Sequence, residues 1–139
     1  MTLFKNSIEN ILVTGGCGFI GGALIRRLLE ETKLKIFNID KIGYASNLYA
    51  PINQSENISK YSNRYQLLNV NLVDKEQTHN AIRKISPDIV FHLAAESHVD
   101  KSISSPTIFI ESNIIGTFNL LEALKNHWKS LSSKRKESF

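Results

Sequence analysis

Short apolar runs alternate with helical patterns along this chain. Four of the runs are apolar at consecutive positions rather than at every second one, which is typical of strands that are covered on both faces. They occupy residues 10–15, 35–40, 65–72 and 88–95. The pattern therefore predicts the buried strands of a parallel sheet.

Segments whose apolar residues are spaced as in amphipathic helices follow three of these runs. Asp74 is placed to cap a helix, with Gln77 at the N3 position of a capping box, and Ser86 followed by Pro87 ends that helix after Ile85. Two further helices are predicted from apolar spacing, the first with a buried face formed by Ile20, Ala23, Leu24 and Leu28. The second, longer helix begins with Ser105 as N-cap and Pro106 at N1, and its predicted buried side is formed by Ile110, Ile114, Thr117, Leu121, Leu124 and Trp128.

Alternation of strands and helices favours right-handed crossovers between parallel strands. We therefore expect an α/β fold, a Rossmann-type doubly wound parallel sheet that is truncated after about four strands and has the strand order 3-2-1-4. Residues 53–63 are predicted to form a polar surface loop. Gly116 lies inside the long helix, which we interpret as a close approach to a neighbouring element. Residues 1–139 form a single predicted domain.

Composition restricts the class of protein. Of the residues, 42% are hydrophobic and 22% are charged, and neither a membrane-length apolar run nor a signal peptide is evident. Cys17 is the one cysteine, which fits a reducing compartment. We therefore expect a cytoplasmic protein with no membrane partner. The basic residues 134–136 are interpreted as a solvated terminus rather than a nucleic-acid contact, and the N-x-S matches at Asn53 and Asn57 as chance.

The first candidate binding feature is the glycine-rich turn that follows the apolar run at residues 10–15. Gly15, Gly18 and Gly21 are spaced as G-x-x-G-x-x-G between a predicted strand and a predicted helix. Glycine there allows a tight turn and close approach of the backbone to a pyrophosphate, and the helix N-terminus supplies free N–H donors. The spacing predicts a dinucleotide site, in which Cys17 is a small turn residue and not a nucleophile.

Polar residues at the ends of the later runs extend this site. Asp40 is placed to accept hydrogen bonds from a ribose 2′-hydroxyl, which favours NAD over NADP, although neighbouring Lys41 weakens the preference. Asn71 is either an adenine partner or a strand-end cap, and Leu72 would pack on the ring. The small residues 93–95 would let the cofactor lie across the sheet.

The stretch HLAAESHVDKSI, residues 92–103, follows the fourth run. His92 is interpreted as a packed core histidine and Glu96 as a structural partner of local backbone donors. Ser97 is predicted to face the site. His98 and Asp100 are expected to form a hydrogen-bonded turn before the long helix.

Four segments span nearly the whole chain in order: ILVTGGCGFIGGALIRRLL, NIDKIGYASNL, PDIVFHLAAESHVDKSI and FIESNIIGTFNLLEALKNHW. They resemble the extended short-chain dehydrogenase/reductase family, and most of all its dTDP-glucose 4,6-dehydratase branch. The glycine motif is shared by the extended family, whereas DK-x-x-YA-x-N and AAESHVDKSI are what single out the dehydratase branch.

The resemblance implies an NAD site, a contact of Ser97 with a dTDP-sugar, and a homodimer through helices that include the one beginning near Pro106. Three positions depart from the family pattern: Gly43 and Ser112 replace threonine, and Asn71 replaces aspartate. The residues implied to line the NAD site are Phe19, Ile20, Asp40, Lys41, Ile42, Gly43, Asn71, Leu72, Leu93, Ala94, Ala95, Ser97 and Ser112.

The resemblance also implies catalytic motifs that this sequence lacks. Family chemistry needs a Y-x-x-x-K pair, in which the lysine lowers the pKa of the tyrosine, and a TDE motif for elimination. No tyrosine here is followed four residues later by lysine. We therefore expect the N-terminal NAD-binding part of a dehydratase, inactive alone, with no catalytic residue and no metal ligand. The alternatives are a non-catalytic nucleotide-binding module, a gene remnant, or a fragment of another sugar-nucleotide enzyme such as a UDP-sugar epimerase.

Overall fold

Four parallel strands form the sheet in the computed structural model, which describes residues 8–43, 46–48, 51 and 60–136. The strand order is β3-β2-β1-β4, so the predicted fold class and strand order are confirmed. Among the described residues, β1 pairs with β2 and β4, and β3 pairs with β2. The strands are β1 (Asn10–Thr14), β2 (Lys35–Asp40), β3 (Tyr65–Asn69) and β4 (Ile89–His92).

Helices cover both faces of the sheet. Those whose bounds are defined are α1 (Phe19–Glu31), α2 (Lys75–Ile85), α3 (Val99–Ser104), α4 (Pro106–Phe109), α5 (Gly116–Ser130) and α6 (Ser133–Lys136), with a π-helical segment (Ile110–Ile115) between α4 and α5. No helix within the described ranges is long and apolar enough to cross a membrane.

The core consists of two apolar clusters, one on each face of the sheet. Side chains alternate between the faces of a strand, so Leu12 of β1 packs with α2 and α5, whereas Ile11 and Val13 pack with α1. All three are fully buried. Burial on both faces explains why the strand is apolar at consecutive positions.

Three strands are shorter than the apolar runs that predicted them. Strand β1 ends at Thr14, β3 at Asn69 and β4 at His92. The first residue after each strand still donates its backbone N–H to a neighbouring strand: Gly15 to Ile39, Val70 to Asp40 and Leu93 to Thr14. These residues and those that follow them in the runs line a cavity at the carboxyl ends of the strands. The runs predicted each strand but extended past its end, by one residue in β1 and by three in β3 and β4. A run of residues does not distinguish a sheet strand from the cavity wall that follows it.

The predicted buried face of α1 is only partly correct. Leu28 is buried and Leu24 packs against the core, but Ile20 and Ala23 are exposed. The buried face instead includes Gly21, Gly22, Ile25, Leu28 and Leu29. Helix α1 meets the glycine turn through its glycines, and apolar spacing does not count glycine as a buried residue.

The predicted side of the long helix is only partly buried: Leu124 packs against the core and Thr117 contacts His92, but the other members are exposed. Its backbone runs through α4, the π-helical segment and α5, and Ile110, Ile114, Leu121 and Trp128 are exposed on it. Ser105 is its N-cap residue but makes no side-chain cap bond. The buried residues of α5 are Gly116, Asn119, Leu120, Ala123 and His127. Two of these are polar and satisfied by backbone carbonyls, so apolar periodicity missed them.

Gly116 marks a close approach, as predicted. A Cβ atom on Gly116 would lie 3.2 Å from the Cβ of Leu72, in the segment that follows β3. Next to this contact, Asn119 Nδ2 donates to the carbonyl oxygens of Leu72 (2.9 Å) and Val73 (3.0 Å). Helix α5 is therefore fixed against the segment that connects β3 to α2.

The ends of α2 follow the sequence. Asp74 Oδ1 accepts from the Gln77 backbone N–H at 2.9 Å, and Gln77 Nε2 donates to the other Asp74 oxygen rather than to the Asp74 backbone. Ser86 ends the helix in the left-handed region, with φ +48°.

Two predicted surface segments contact the body of the protein. Most of the predicted polar loop at residues 53–63 lies outside the described residues, but Tyr61 is buried in the α1 cluster. In the basic segment 134–136, Arg135 pairs with Asp88, and Lys136 lies 5.0 Å from the Trp128 ring centroid. The segment is thus partly docked rather than fully solvated.

Candidate functional site

A cavity of about 370 Å³ opens at the carboxyl ends of the strands, where ligands of doubly wound sheets bind. Every residue predicted for a cofactor site lines it except Ile42. These lining residues are Gly15, Gly18, Phe19, Ile20, Gly21, Asp40, Lys41, Gly43, Asn71, Leu72, Leu93, Ala94, Ala95, Ser97 and Ser112. Sequence reasoning missed the other lining residues, Ile39, Ser46, Val70, Val73, Glu96 and His98.

The glycine turn forms one wall of the cavity. Gly15 has φ +71°, and a Cβ atom on it would lie 2.7 Å from the backbone of Ala94. A Cβ atom on Gly21 would lie 2.3 Å from the Gly15 carbonyl oxygen. Gly18 is the N-cap residue of α1, so the first N–H groups of this helix lack intrahelical partners. The turn therefore fits a pyrophosphate held by backbone donors at a helix N-terminus.

A buried asparagine in β2 holds this turn in place. Asn38 Oδ1 accepts from the Gly16 backbone N–H at 2.9 Å, and its Nδ2 donates to the Tyr65 hydroxyl at 3.0 Å. Asn38 is fully buried. Sequence reasoning missed it, although an asparagine inside an apolar run is a signal that the side chain has a specific partner.

Asp40 ends β2 and joins two loops. Its Oδ2 accepts from the Cys17 N–H at 3.0 Å, and its Oδ1 accepts from the Ile42 N–H at 2.9 Å and the Ser46 hydroxyl at 3.0 Å. A carboxylate has about four acceptor positions, so room remains for a ribose hydroxyl. Ile42 has φ +51°, uncommon for a β-branched residue, and its side chain does not reach the cavity.

An ion pair joins two strand ends that β1 separates. Lys41 Nζ, beyond β2, lies 2.5 Å from Glu96 Oε1, beyond β4. Asn113 in the π-helical segment fixes the Glu96 backbone, accepting from its N–H at 2.8 Å and donating to its carbonyl oxygen at 2.9 Å. Our interpretation of Glu96, as a partner of local backbone donors, missed this pair.

His92 belongs to a hydrogen-bonded relay beneath the cavity. Thr14 Oγ1 accepts from the N–H groups of Leu93 and Ala94, both at 3.2 Å, so its own hydrogen points to His92 Nδ1 at 2.6 Å. His92 Nε2 then donates to Thr117 Oγ1 at 2.9 Å. Burial lowers the pKa of His92, which favours the neutral ring that this relay requires. The histidine is half-buried and structural, close to the prediction.

Asn71 serves as a strand-end cap and also faces the cavity. Its Oδ1 accepts from the Val73 N–H at 3.1 Å, while the residue is exposed at the cavity wall. Both interpretations of Asn71 thus remain compatible with its position. Gly43 leaves room for the threonine of the family pattern, because a Cβ atom there would be 3.8 Å from the nearest heavy atom.

The residues after Glu96 differ from the predicted turn. His98 is the N-cap residue of α3 and lines the cavity, and its carbonyl oxygen accepts from the Ser102 N–H at 3.1 Å. Asp100 lies inside α3, so the two residues belong to a short hydrogen-bonded helix before the long helix rather than to a single turn. Ser97 is exposed and lines the cavity from this side, and Ser112 lines it from the π-helical segment.

Neither the cysteine nor the tyrosine nearest the turn is poised for catalysis. Cys17 is fully buried, and burial, with the Asp40 charge, raises the pKa of its thiol to about 11. Burial also raises the pKa of Tyr65 to about 12. Both groups therefore stay protonated near neutral pH. Tyr44 and Tyr49 lie outside the described residues.

Comparison with known proteins gives consistent matches. The sequence profile of the family described as GDP-mannose 4,6 dehydratase matches residues 12–137. The chain is 44% identical to the dTDP-glucose 4,6-dehydratase of Shigella flexneri, over 93% of this chain and 34% of that protein. It is 47% identical to that of Haemophilus influenzae, over 94% of this chain and 37% of that protein. The chain thus spans about a third of the length of these curated relatives.

Solved structures share the fold. DesIV, a dTDP-glucose 4,6-dehydratase from Streptomyces venezuelae solved with NAD and TYD bound, matches with a TM-score of 0.71 and 31% identity, over 84% of this chain and 36% of that one. A UDP-glucose 4-epimerase from Thermus thermophilus in complex with NAD matches with a TM-score of 0.68 and 33% identity, over 84% and 34%. The glycine turn, the strand order and the profile match agree: this chain belongs to the GDP-mannose 4,6 dehydratase family, within the extended short-chain dehydrogenases/reductases.

Proposed function

We propose that this chain binds NAD as the cofactor-binding part of a dTDP-glucose 4,6-dehydratase. One observation carries the proposal: a single cavity, at the carboxyl edge of a 3-2-1-4 sheet, is lined by the glycine turn, Asp40 and the end of β4. The similarity to dTDP-glucose 4,6-dehydratases and the NAD in the similar solved structures support it.

Each wall of the cavity has a role in this proposal. The turn from Gly15 to Gly21 and the N-terminus of α1 bind the pyrophosphate through backbone N–H groups. Asp40 accepts from the adenosine ribose, and Asn71 and Leu72 contact the adenine. Leu93, Ala94 and Ala95 form the floor, with Ser112 beside it. NAD itself would accept and return the hydride of the sugar.

The sugar nucleotide would lie next to Ser97, whose hydroxyl is exposed at the cavity rim. We propose a dTDP-sugar as its ligand because the curated relatives named above are dTDP-glucose 4,6-dehydratases. The second candidate is a UDP-sugar, which the structural match to a UDP-glucose 4-epimerase favours. Tighter binding of dTDP-glucose than of UDP-glucose by the NAD-loaded chain would favour the first.

We further propose a homodimer through the long helix. The exposed side chains of Ile114, Phe118 and Leu121 form an apolar surface on the π-helical segment and α5. Together with the resemblance described above, this surface supports self-association. No nucleic-acid or membrane partner is proposed.

Binding is tested by titrating the purified chain with NAD in a calorimeter, after circular dichroism has shown that it is folded. We expect saturable binding, and a loss of affinity of about tenfold or more in Gly18→Ala, because an added methyl group hinders close approach of the pyrophosphate to the backbone of the turn. Gly18 has extended backbone angles that alanine can adopt, and the Cβ atom would lie 3.2 Å from the Gly15 carbonyl oxygen. Ala23→Ser, an exposed change on α1, is the control and should bind as the parent does.

Three results would count against this proposal or the expectations attached to it. A folded chain without saturable NAD binding would exclude a nucleotide-binding role, and an aggregated product would favour the gene-remnant alternative. Turnover of dTDP-glucose by the 139-residue chain would overturn the prediction that it is inactive alone.

A further inference from the structure

We infer that Glu96 determines cofactor specificity: by pairing with Lys41 it withholds that lysine from a phosphate on the adenosine 2′-oxygen, and so favours NAD over NADP. This inference rests on the proposed function. It assigns a role to an ion pair that the sequence did not predict.

The position of the ribose follows from Asp40. In doubly wound folds the carboxylate at the end of the second strand accepts from the ribose 2′-hydroxyl, and a nearby basic residue accommodates the 2′-phosphate of NADP. Lys41 follows Asp40 directly and lines the same cavity. Lysine is therefore placed where an NADP-binding site needs a cation.

Lys41 forms an ion pair with Glu96. Its ammonium group is 2.5 Å from Glu96 Oε1, and the Glu96 side chain is only 11% exposed, so the pair is largely shielded from solvent on the Glu96 side. Two hydrogen bonds from Asn113 hold the Glu96 backbone at this position. The lysine is thus tied toward the end of β4 and away from the Asp40 carboxylate.

The other charged residues that line the cavity would not offset the charge of a 2′-phosphate. Among the described lining residues, Lys41 is the only lysine or arginine, whereas Asp40 and Glu96 are both carboxylates. A 2′-phosphate would meet Asp40 at short range with no available cation to balance it. Removing the Glu96 charge releases Lys41 for that phosphate and lowers the local negative charge.

The test compares Glu96→Gln with the parent by measuring Kd for NAD and for NADP calorimetrically at one ionic strength. Glutamine keeps the shape of the side chain and removes its charge. We expect the ratio of Kd for NADP to Kd for NAD to fall about tenfold or more, as a charge-assisted hydrogen bond to phosphate forms. In the double variant Lys41→Met/Glu96→Gln the ratio should return toward the parent value.

Glu31→Gln is the matched control. It makes the same change in net charge, but Glu31 lies at the far end of α1, where it pairs with Arg27 on an exposed surface. The ratio should stay at the parent value in this control. An equal shift in Glu31→Gln would mean that net charge alone acts, and would overturn the inference.

The other outcomes separate a failure of the specificity role from a failure of the proposed NAD binding. An unchanged ratio in a folded Glu96→Gln variant that still binds NAD overturns the specificity role and leaves the proposed function intact. Absence of NAD binding in the parent overturns both. If Glu96→Gln fails to fold, Asn113→Ala, which removes the two backbone anchors of Glu96, should shift the ratio in the same direction, and an unchanged ratio there would count against the role.

Discussion

Individual polar side chains, rather than apolar contacts, hold the loops around the cavity. Asn38 and Asp40 bind backbone N–H groups of the glycine turn, and Asn113 binds the backbone after β4. A buried backbone N–H that loses its partner is costly, so each of these side chains specifies one loop conformation. Asp40 was recognisable at the end of an apolar run, whereas the partner of Asn38 depends on residues that only the fold brings near.

Gly15→Ala should destabilise the protein by about 2 kcal/mol or more, since alanine is disfavoured at positive φ and its Cβ atom would overlap the Ala94 backbone. Urea unfolding measures the loss. Gly43→Ala is the matched control, because its Cβ atom has room, and it should change stability by less than about 1 kcal/mol. Equal losses at both positions would show that the turn geometry is not the cause.

His92 makes stability depend on pH. Burial lowers its pKa in the folded state below the ordinary 6.5, so between the two pKa values the unfolded chain binds more protons than the folded one. The free energy of unfolding should therefore fall as pH drops below about 6.5 and level off below the folded pKa. Urea titrations between pH 7 and 5 should show a smaller slope in His92→Gln. A slope that persists fully in this variant would assign the effect to another group.

The long helix joins three packing environments in one element. In the π-helical segment, Ser112 lines the cavity and Asn113 fixes Glu96, whereas α5 packs on the segment after β3. A π-helical turn changes which side chains share a face of the helix. Apolar spacing at 3.6 residues per turn could not predict this change, so only Thr117 and Leu124 of the predicted side lie toward the core.

Asn119→Ala should destabilise the protein by about 2 kcal/mol, because the buried amide donates to two carbonyl oxygens: that of Val73 would lose this donor, and that of Leu72 would keep only the Thr78 hydroxyl. Asn126→Ala is the control, an exposed asparagine on the same helix, and should change stability by less than about 0.5 kcal/mol. The difference in urea midpoint between the two variants measures the effect. Similar losses in both would indicate a general change of helix propensity instead.

At the scale of the whole molecule, the sheet and the helix surface are unevenly covered. Strand β4 pairs only with β1 among the described residues, and none of its residues is fully buried, whereas β1 is almost completely enclosed. Apolar side chains are exposed along the π-helical segment and α5. The solved dehydratases and epimerases that match are about three times as long as the region they share with this chain.

The proposed homodimer predicts twice the mass of 15.7 kDa in sedimentation equilibrium. Phe118→Lys, in the exposed apolar surface, should shift the protein toward monomer because a charge would be buried at the interface. Ala23→Lys on the exposed side of α1 adds the same charge and should leave the mass unchanged. A parent that remains monomeric at high concentration would contradict the proposed dimer.

The sequence by itself determined the alternation of strands and helices with the strand order expected from it, the glycine turn, and polar residues at strand ends such as Asp40, because these follow from local patterns. Many of the other residues that line the cavity were implied by the family resemblance, and six lining residues were missed. Tertiary structure alone decided the Lys41–Glu96 pair, the Thr14–His92–Thr117 relay and the inward face of the long helix. Each of these joins residues far apart in the chain. The sheet brings them together through crossovers, and the partner of a polar side chain is set by that geometry rather than by its neighbours in sequence.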